Sequence, residues 1–206
     1  MDINHTLLHQ AKEMLEAMDK TADDNLPKDI ADIVKFHAKG ATVAALASAW
    51  IPGAGGTAAV VTSAGFIWTM YGRIGAKIDL PMSNNILKTI AFGAATNLVS
   101  GAIGFLLVSS AISFIPGLGS VGASIIMGGV CYALTLAAGY VYLKTMTALF
   151  KKGIDPTTLS EEDLKNVVKD VAKQSDVKDV LKQARKDFKT KKDEGEFDDK
   201  SSRQTE

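Results

Sequence analysis

The chain has 206 residues with 23 Lys/Arg and 23 Asp/Glu, a length that suits one domain with tails. The neutral balance is an average: residues 1–40 carry five basic and eight acidic side chains, 41–143 carry only Arg73, Lys77, Asp79 and Lys88, and 144–206 carry fifteen and fourteen. Neither end is basic enough for a nucleic-acid footprint, the lone Cys131 excludes an internal disulfide, and the N-terminus lacks the basic-then-apolar pattern of a secretory signal.

Ile3, Leu7, Leu8, Ala11, Met14, Leu15 and Met18 recur at helical spacing and predict an amphipathic helix within residues 1–24. Pro27 suits the first turn of the next helix, which Ile30, Ile33, Val34 and Ala38 carry into Ala41–Trp50. Ile51-Pro52-Gly53-Ala54-Gly55-Gly56 ends it, because Pro disfavours helical geometry in the residue before it. A helix is predicted from about Thr57 to Gly75, then a turn with Ser83 or Asn84 as N-cap, then a helix to about Ser113. Ile115-Pro116-Gly117-Leu118-Gly119 breaks that one, and the last apolar helix runs to about Phe150.

The two breaks match under a shift of 64 residues: Trp50-Ile51-Pro52-Gly53-Ala54-Gly55 falls on Phe114-Ile115-Pro116-Gly117-Leu118-Gly119. Residues 25–152 therefore read as two helical hairpins with Pro52, Gly53, Gly55, Pro116, Gly117 and Gly119 as structural turns. Beyond Lys151-Lys152-Gly153, Ser160-Glu161-Glu162-Asp163 is a capping box. Leu164, Val167, Val168 and Val171 form one apolar stripe. Val177, Val180, Leu181, Ala184 and Phe188 form a second, behind Ser175 as expected cap, so 153–189 reads as amphipathic helices. The composition of 190–206 reads as a disordered tail.

The fold class is all-α. Runs 40–72 and 89–143 hold no charge, so these helices have no water-facing side and suit lipid or a bundle interior. Thr89–Ser113 would be about 37 Å long, enough for a hydrocarbon core of about 30 Å; the first hairpin is shorter and either spans or only dips in. Lys35, Lys39, Arg73, Lys77, Lys88, Lys144, Lys151 and Lys152 flank the runs, while both IPG turns are bare. The charged regions thus belong on one side, cytoplasmic by the positive-inside rule, which predicts the inner membrane with both termini in the cytoplasm. Trp68 and Tyr71 before Arg73, and Tyr140 and Tyr142 before Lys144, suit either an interfacial belt or an ordinary core.

Small-residue stripes suit close helix packing in lipid: Gly65 on the second helix, Gly93, Asn97, Ser100 and Gly104 on the third, Ser120, Ser124 and Gly128 on the fourth. Asn97 is expected to bond across helices. Gly53-Ala54-Gly55-Gly56-Thr57 lacks the Gly-Lys-Ser/Thr ending of a phosphate loop. His5 and His9 lie one turn apart without a clear third ligand, and His37 is expected at the interface. No catalytic constellation, metal site, cofactor or small-molecule substrate is indicated.

The repeated IPGxG hairpins, carried by Ala44–Gly56 and Ile112–Gly122 within about 30–150, resemble a bacterial membrane-associated family of unknown function. That domain follows the G domain in some Era-like GTPases and also stands alone. The resemblance implies a helical, membrane-linked module serving a GTPase in trans. The expected function is a non-enzymatic integral membrane module with an interaction or scaffolding role, its partners the lipid bilayer and a protein or second copy met through 160–188. The alternative is an oligomeric pore or channel, or an insertable pore-forming helical protein.

Overall fold

Six α-helices and no strand occur in the computed structural model, which describes residues 28–48, 55–77, 80, 82–109 and 119–197. They are α1 Lys28–Ser48, α2 Gly55–Lys77, α3 Asn84–Ser109, α4 Gly119–Lys151, α5 Glu161–Ala172 and α6 Ser175–Asp193. The all-α expectation holds. The N-terminal helix expected in 1–24, and the turn residues Pro52, Gly53, Pro116 and Gly117, lie outside the described residues. Gly55 and Gly119 are the first residues of α2 and α4.

Local chemistry sets the helix ends. The Ile86 N–H donates to Ser83 Oγ (3.3 Å) at the start of α3. Ser160 caps α5, accepting from the Asp163 N–H (3.1 Å) and donating to the Asp163 carboxylate (2.6 Å). At the end of α4, Gly153 takes a φ of 68°, and the Ile154 N–H reaches back to the Leu149 carbonyl (3.0 Å). This is a Schellman closure, and the left-handed backbone it needs suits glycine. The start of α6 differs from expectation: Gln174 is the N-cap, without a side-chain cap bond, and Ser175 is already helical.

α4 packs against all five other helices. A helix apolar on every side is the pattern of such a central element, and Leu134, Val141, Tyr142 and Met146 are all buried on it. Glycines let neighbours approach its backbone. A Cβ on Gly128 would lie 2.9 Å from Leu46 Cδ2, and one on Gly139 would lie 3.1 Å from both methyls of Val34.

The C-terminal helices share this core. Leu164, Val168 and Val171 of α5, and Val177, Leu181 and Ala184 of α6, join the same buried cluster as α1–α4. Their apolar stripes are therefore closed within the chain. The disorder expected from 190 does not hold as far as 197, and 198–206 lie outside the described residues. α6 continues to Asp193, and Phe197 is buried against Tyr132 and Phe188, with ring centroids 5.7 and 5.3 Å away. One aromatic in a polar segment was enough to anchor it.

Candidate membrane-contact surface

A ladder of contacts gives the direction of each helix. Lys77 pairs with Asp29 (2.5 Å), the Tyr142 hydroxyl meets Met82 Sδ (3.6 Å), and Gly72 faces Leu87. One step along, Arg73 covers the Phe36 ring at 5.1 Å and Lys88 the Trp68 ring at 4.5 Å. Farther along, Gly40 faces Phe66, and Gly128 faces Thr42 and Leu46. α1 and α3 thus run away from one end, α2 and α4 return to it, and the charged stretches around 28–39, 73–88 and 144–152 gather there.

The other end carries no charge on α1–α4. From the last charge on each helix, the uncharged length is about 27 Å on α2 (55–72), about 31 Å on α3 (89–109) and about 37 Å on α4 (119–143), but only about 13 Å on α1 (40–48). Among the described residues, the exposed large hydrophobics are Phe36 (62%), Val61 (59%), Phe92 (49%) and Val43 (45%). All lie on α1–α3. Phe36 sits at the Arg73 level, and the other three lie beyond the charge boundary. Among the described residues, one helix, Ile125–Lys151 within α4, is long and apolar enough to cross a membrane, and 67% of its apolar stretch is buried inside the fold.

The boundary is aromatic as well as basic, with Phe36 beneath Arg73, Trp68 beneath Lys88, and Tyr140 5.7 Å from the Lys144 ammonium. Cations over rings are attracted by the ring quadrupole. The four aromatics singled out in the sequence divide between two roles. Trp68 and Tyr140 hold cations, whereas Tyr71 and Tyr142 are fully buried and stack on each other (4.3 Å, 19°). His37, expected at the interface, turns inward, its Nδ1 2.7 Å from the Ile33 carbonyl oxygen. Burial lowers its pKa, the backbone bond opposes that, and Arg73 adds to the lowering.

The small-residue positions are dispersed rather than gathered. Gly128 serves the α1–α4 contact, Gly93 receives the Lys165 stem of α5, and Gly65 is exposed with open space beside it. The Asn97 amide donates back along its own helix to the Gly93 carbonyl (2.7 Å). Ser100 and Gly104 lie in α3, Ser120 and Ser124 in α4, with side chains outside the described set. The close approaches at Gly40, Gly129 and Gly139 are more telling: added Cβ atoms there would meet Phe66, Phe188 and Val34 at 2.6, 3.0 and 3.1 Å. Phe36, Val43, Val61 and Phe92 were missed as surface residues. The signal existed for α1, where Phe36 and Val43 are offset from the Ile30, Val34, Ala38 and Ala41 face.

α6 fastens to α4 through polar pairs. Asp176 accepts from the Tyr140 hydroxyl (2.6 Å) and from Lys144, and Asp187 accepts from the Tyr132 hydroxyl. Partial burial pushes the Asp176 carboxyl up, but the bonds from Lys144 and Tyr140, the Lys144 charge and the Val177 N–H outweigh it, leaving the pKa below the ordinary aspartate value. A carboxylate with a depressed folded pKa stabilises the docked state fully above its free value, and that stabilisation is lost as pH falls through the depressed value. Docking of α6 is therefore expected to be insensitive to pH from neutrality down to the ordinary aspartate range and to weaken only below it. A pH titration of a fluorophore on Lys182→Cys reads this, and release near pH 6 would contradict it.

No protein-family model, no curated protein and no solved structure matches the chain.

Proposed function

We propose that the protein is a non-enzymatic membrane module. Its charge-free end enters the bilayer, and Arg73, Lys88 and Lys144 lie at the headgroups with their aromatic partners. The observation that carries this reading is the coincidence of two boundaries on α1–α3. Charge stops at Lys39, Arg73 and Lys88, and three of the four exposed large hydrophobics among the described residues, Val43, Val61 and Phe92, lie beyond that level, with the fourth, Phe36, beside Arg73. A water-soluble bundle has no reason to separate the two. Basic residues and amphipathic aromatics favour the interface, and the basic excess at the boundary supports a cytoplasmic position for that side.

The lipid bilayer is thus the first partner. A protein partner or second copy would meet the charged outer faces of α5 and α6, since their apolar faces are closed on the bundle. That leaves an interaction or scaffolding role, which the resemblance to a GTPase-associated family extends to a GTPase in trans. A second reading, an insertable helical protein, is favoured by the burial of most of the Ile125–Lys151 span beneath other helices.

Fractionation of the expressed protein with a carbonate wash tests the proposal. Retention in the washed membrane is expected. Quantitative release as a monodisperse soluble protein would sink the integral reading.

A further inference from the structure

α6 carries seven Lys/Arg against four Asp, and the two signs are sorted around it. Lys178, Lys182, Arg185 and Lys189 follow at spacings of four, three and four, all exposed. That keeps them within an arc of about 60° and strings them along about 16 Å of helix. Asp176 and Asp187 lie on the opposite flank and are engaged by α4: Tyr140 and Lys144 donate to the first, Tyr132 to the second. Asp179 meets the stripe at Lys182 (3.2 Å), an exposed pair of the kind that contributes little.

Folding gives no reason for this stripe. Like charges one turn apart destabilise a helix, and the buried side of α6, Val177, Leu181, Ala184 and Phe188, holds it on α4 without them. A partner that supplies carboxylates turns those repulsions into attractions. The direction of the stripe decides the kind of partner. Asp176 meets Tyr140 and Asp187 meets Tyr132, so α6 runs antiparallel to α4 and the stripe runs along it. A bilayer crossed by α4 sets its phosphates in a plane across that axis, where only the end of the stripe reaches them. Lys39, paired with Glu196 (3.5 Å) just past the end of α6, already stands there as a boundary charge. A helix laid beside α6, with Asp or Glu at the same four-three-four spacing, meets all four cations, since both helices repeat with the same rise per turn.

We propose that this flank of α6 is the docking surface for an acidic helix of a partner protein. The contact is electrostatic, steered at long range and weakened by salt. This inference rests on the interaction role proposed above, to which it gives a chemistry.

The probe is a fluorescent helical peptide with Glu at i, i+4, i+7 and i+11, beside a version with Gln at those positions. The full chain in neutral detergent is titrated against each by anisotropy, at about 0.15 M salt, where the screening length is about 8 Å. Binding of the Glu peptide and not of the Gln peptide is expected. Lys178→Glu with Lys189→Glu reverses both ends of the stripe and is expected to weaken binding at least about tenfold, each reversal exchanging an attraction for a repulsion. Lys151→Glu with Lys152→Glu makes the same change of net charge at exposed positions about 10 Å past Lys144 along α4, and is expected to change binding less than about twofold. Far-UV circular dichroism checks that both variants are folded. Equal affinity for the two peptides, or equal losses in the two variants, would overturn the stripe. So would a stripe variant that keeps the Glu peptide but no longer floats with phosphatidylglycerol-containing vesicles, because the flank would then serve an anionic bilayer. The carbonate wash of the unmodified protein is read separately: retention without peptide binding sinks only the stripe, and release with peptide binding intact sinks only the membrane reading.

Discussion

Tyr142→Ala is expected to destabilise the protein by about 3–5 kcal/mol, the range for deleting a fully buried aromatic side chain. Tyr142 lies where the charged ends of α2 and α4 meet the lead-in to α3. It stacks on Tyr71 (4.3 Å) and reaches Met82 with its hydroxyl. Truncation removes the ring from its stack on Tyr71 and leaves a cavity in the core. For a domain of this size the melting temperature should fall by on the order of 6–20 °C. Tyr71→Phe isolates a smaller term. It keeps the stack and removes only the O–H donated to the Ala138 carbonyl (2.9 Å), a loss of about 1 kcal/mol. Thermal unfolding followed by circular dichroism separates the two. Equal, small shifts would mean the stacked pair is not part of the core.

That pair marks where sequence reasoning ends. Helix existence was legible because it rests on local terms: the Ser83 and Ser160 caps, Gly153 after the last apolar turn, and apolar residues at helical spacing. The central place of α4 follows from the same logic, since a helix with no polar side must be surrounded. Facing was not legible. Tyr140 and Tyr142 are two residues apart, about 200° around a helix, so one meets Asp176 at the boundary while the other enters the core. Trp68 and Tyr71 divide likewise between Lys88 and the α2–α4 contact. Composition places aromatics near a charge boundary but does not say which of them faces it. The apolar stripes of α5 and α6 were visible too, but a stripe does not name what it covers. Here it covers α4, so an expectation of contact through 160–188 narrows to the charged outer face.

Val61→Lys is expected to abolish stable membrane association while leaving the fold in water intact. Val61 is 59% exposed, and substitutions at such positions usually change folding stability by no more than about 0.5 kcal/mol. It lies twelve residues beyond Arg73 on α2, about 18 Å above the charge boundary. A lysine in the middle of the hydrocarbon costs about 2.5–3.5 kcal/mol on insertion scales, which corresponds to roughly a hundredfold loss in partitioning. Phe92→Lys is the comparison. Phe92 is also exposed but only four residues past Lys88, about 6 Å, so a lysine there can extend its stem along the helix and keep its ammonium among the headgroups. It should lose far less. Vesicle flotation of the two variants beside the parent measures this depth dependence, and far-UV circular dichroism in buffer confirms that each is folded. Unequal losses with Val61→Lys the larger would put the boundary at Arg73 and Lys88. Equal losses would mean that the exposed face lies flat on the surface, and no loss in either would mean that α2 and α3 meet something other than lipid.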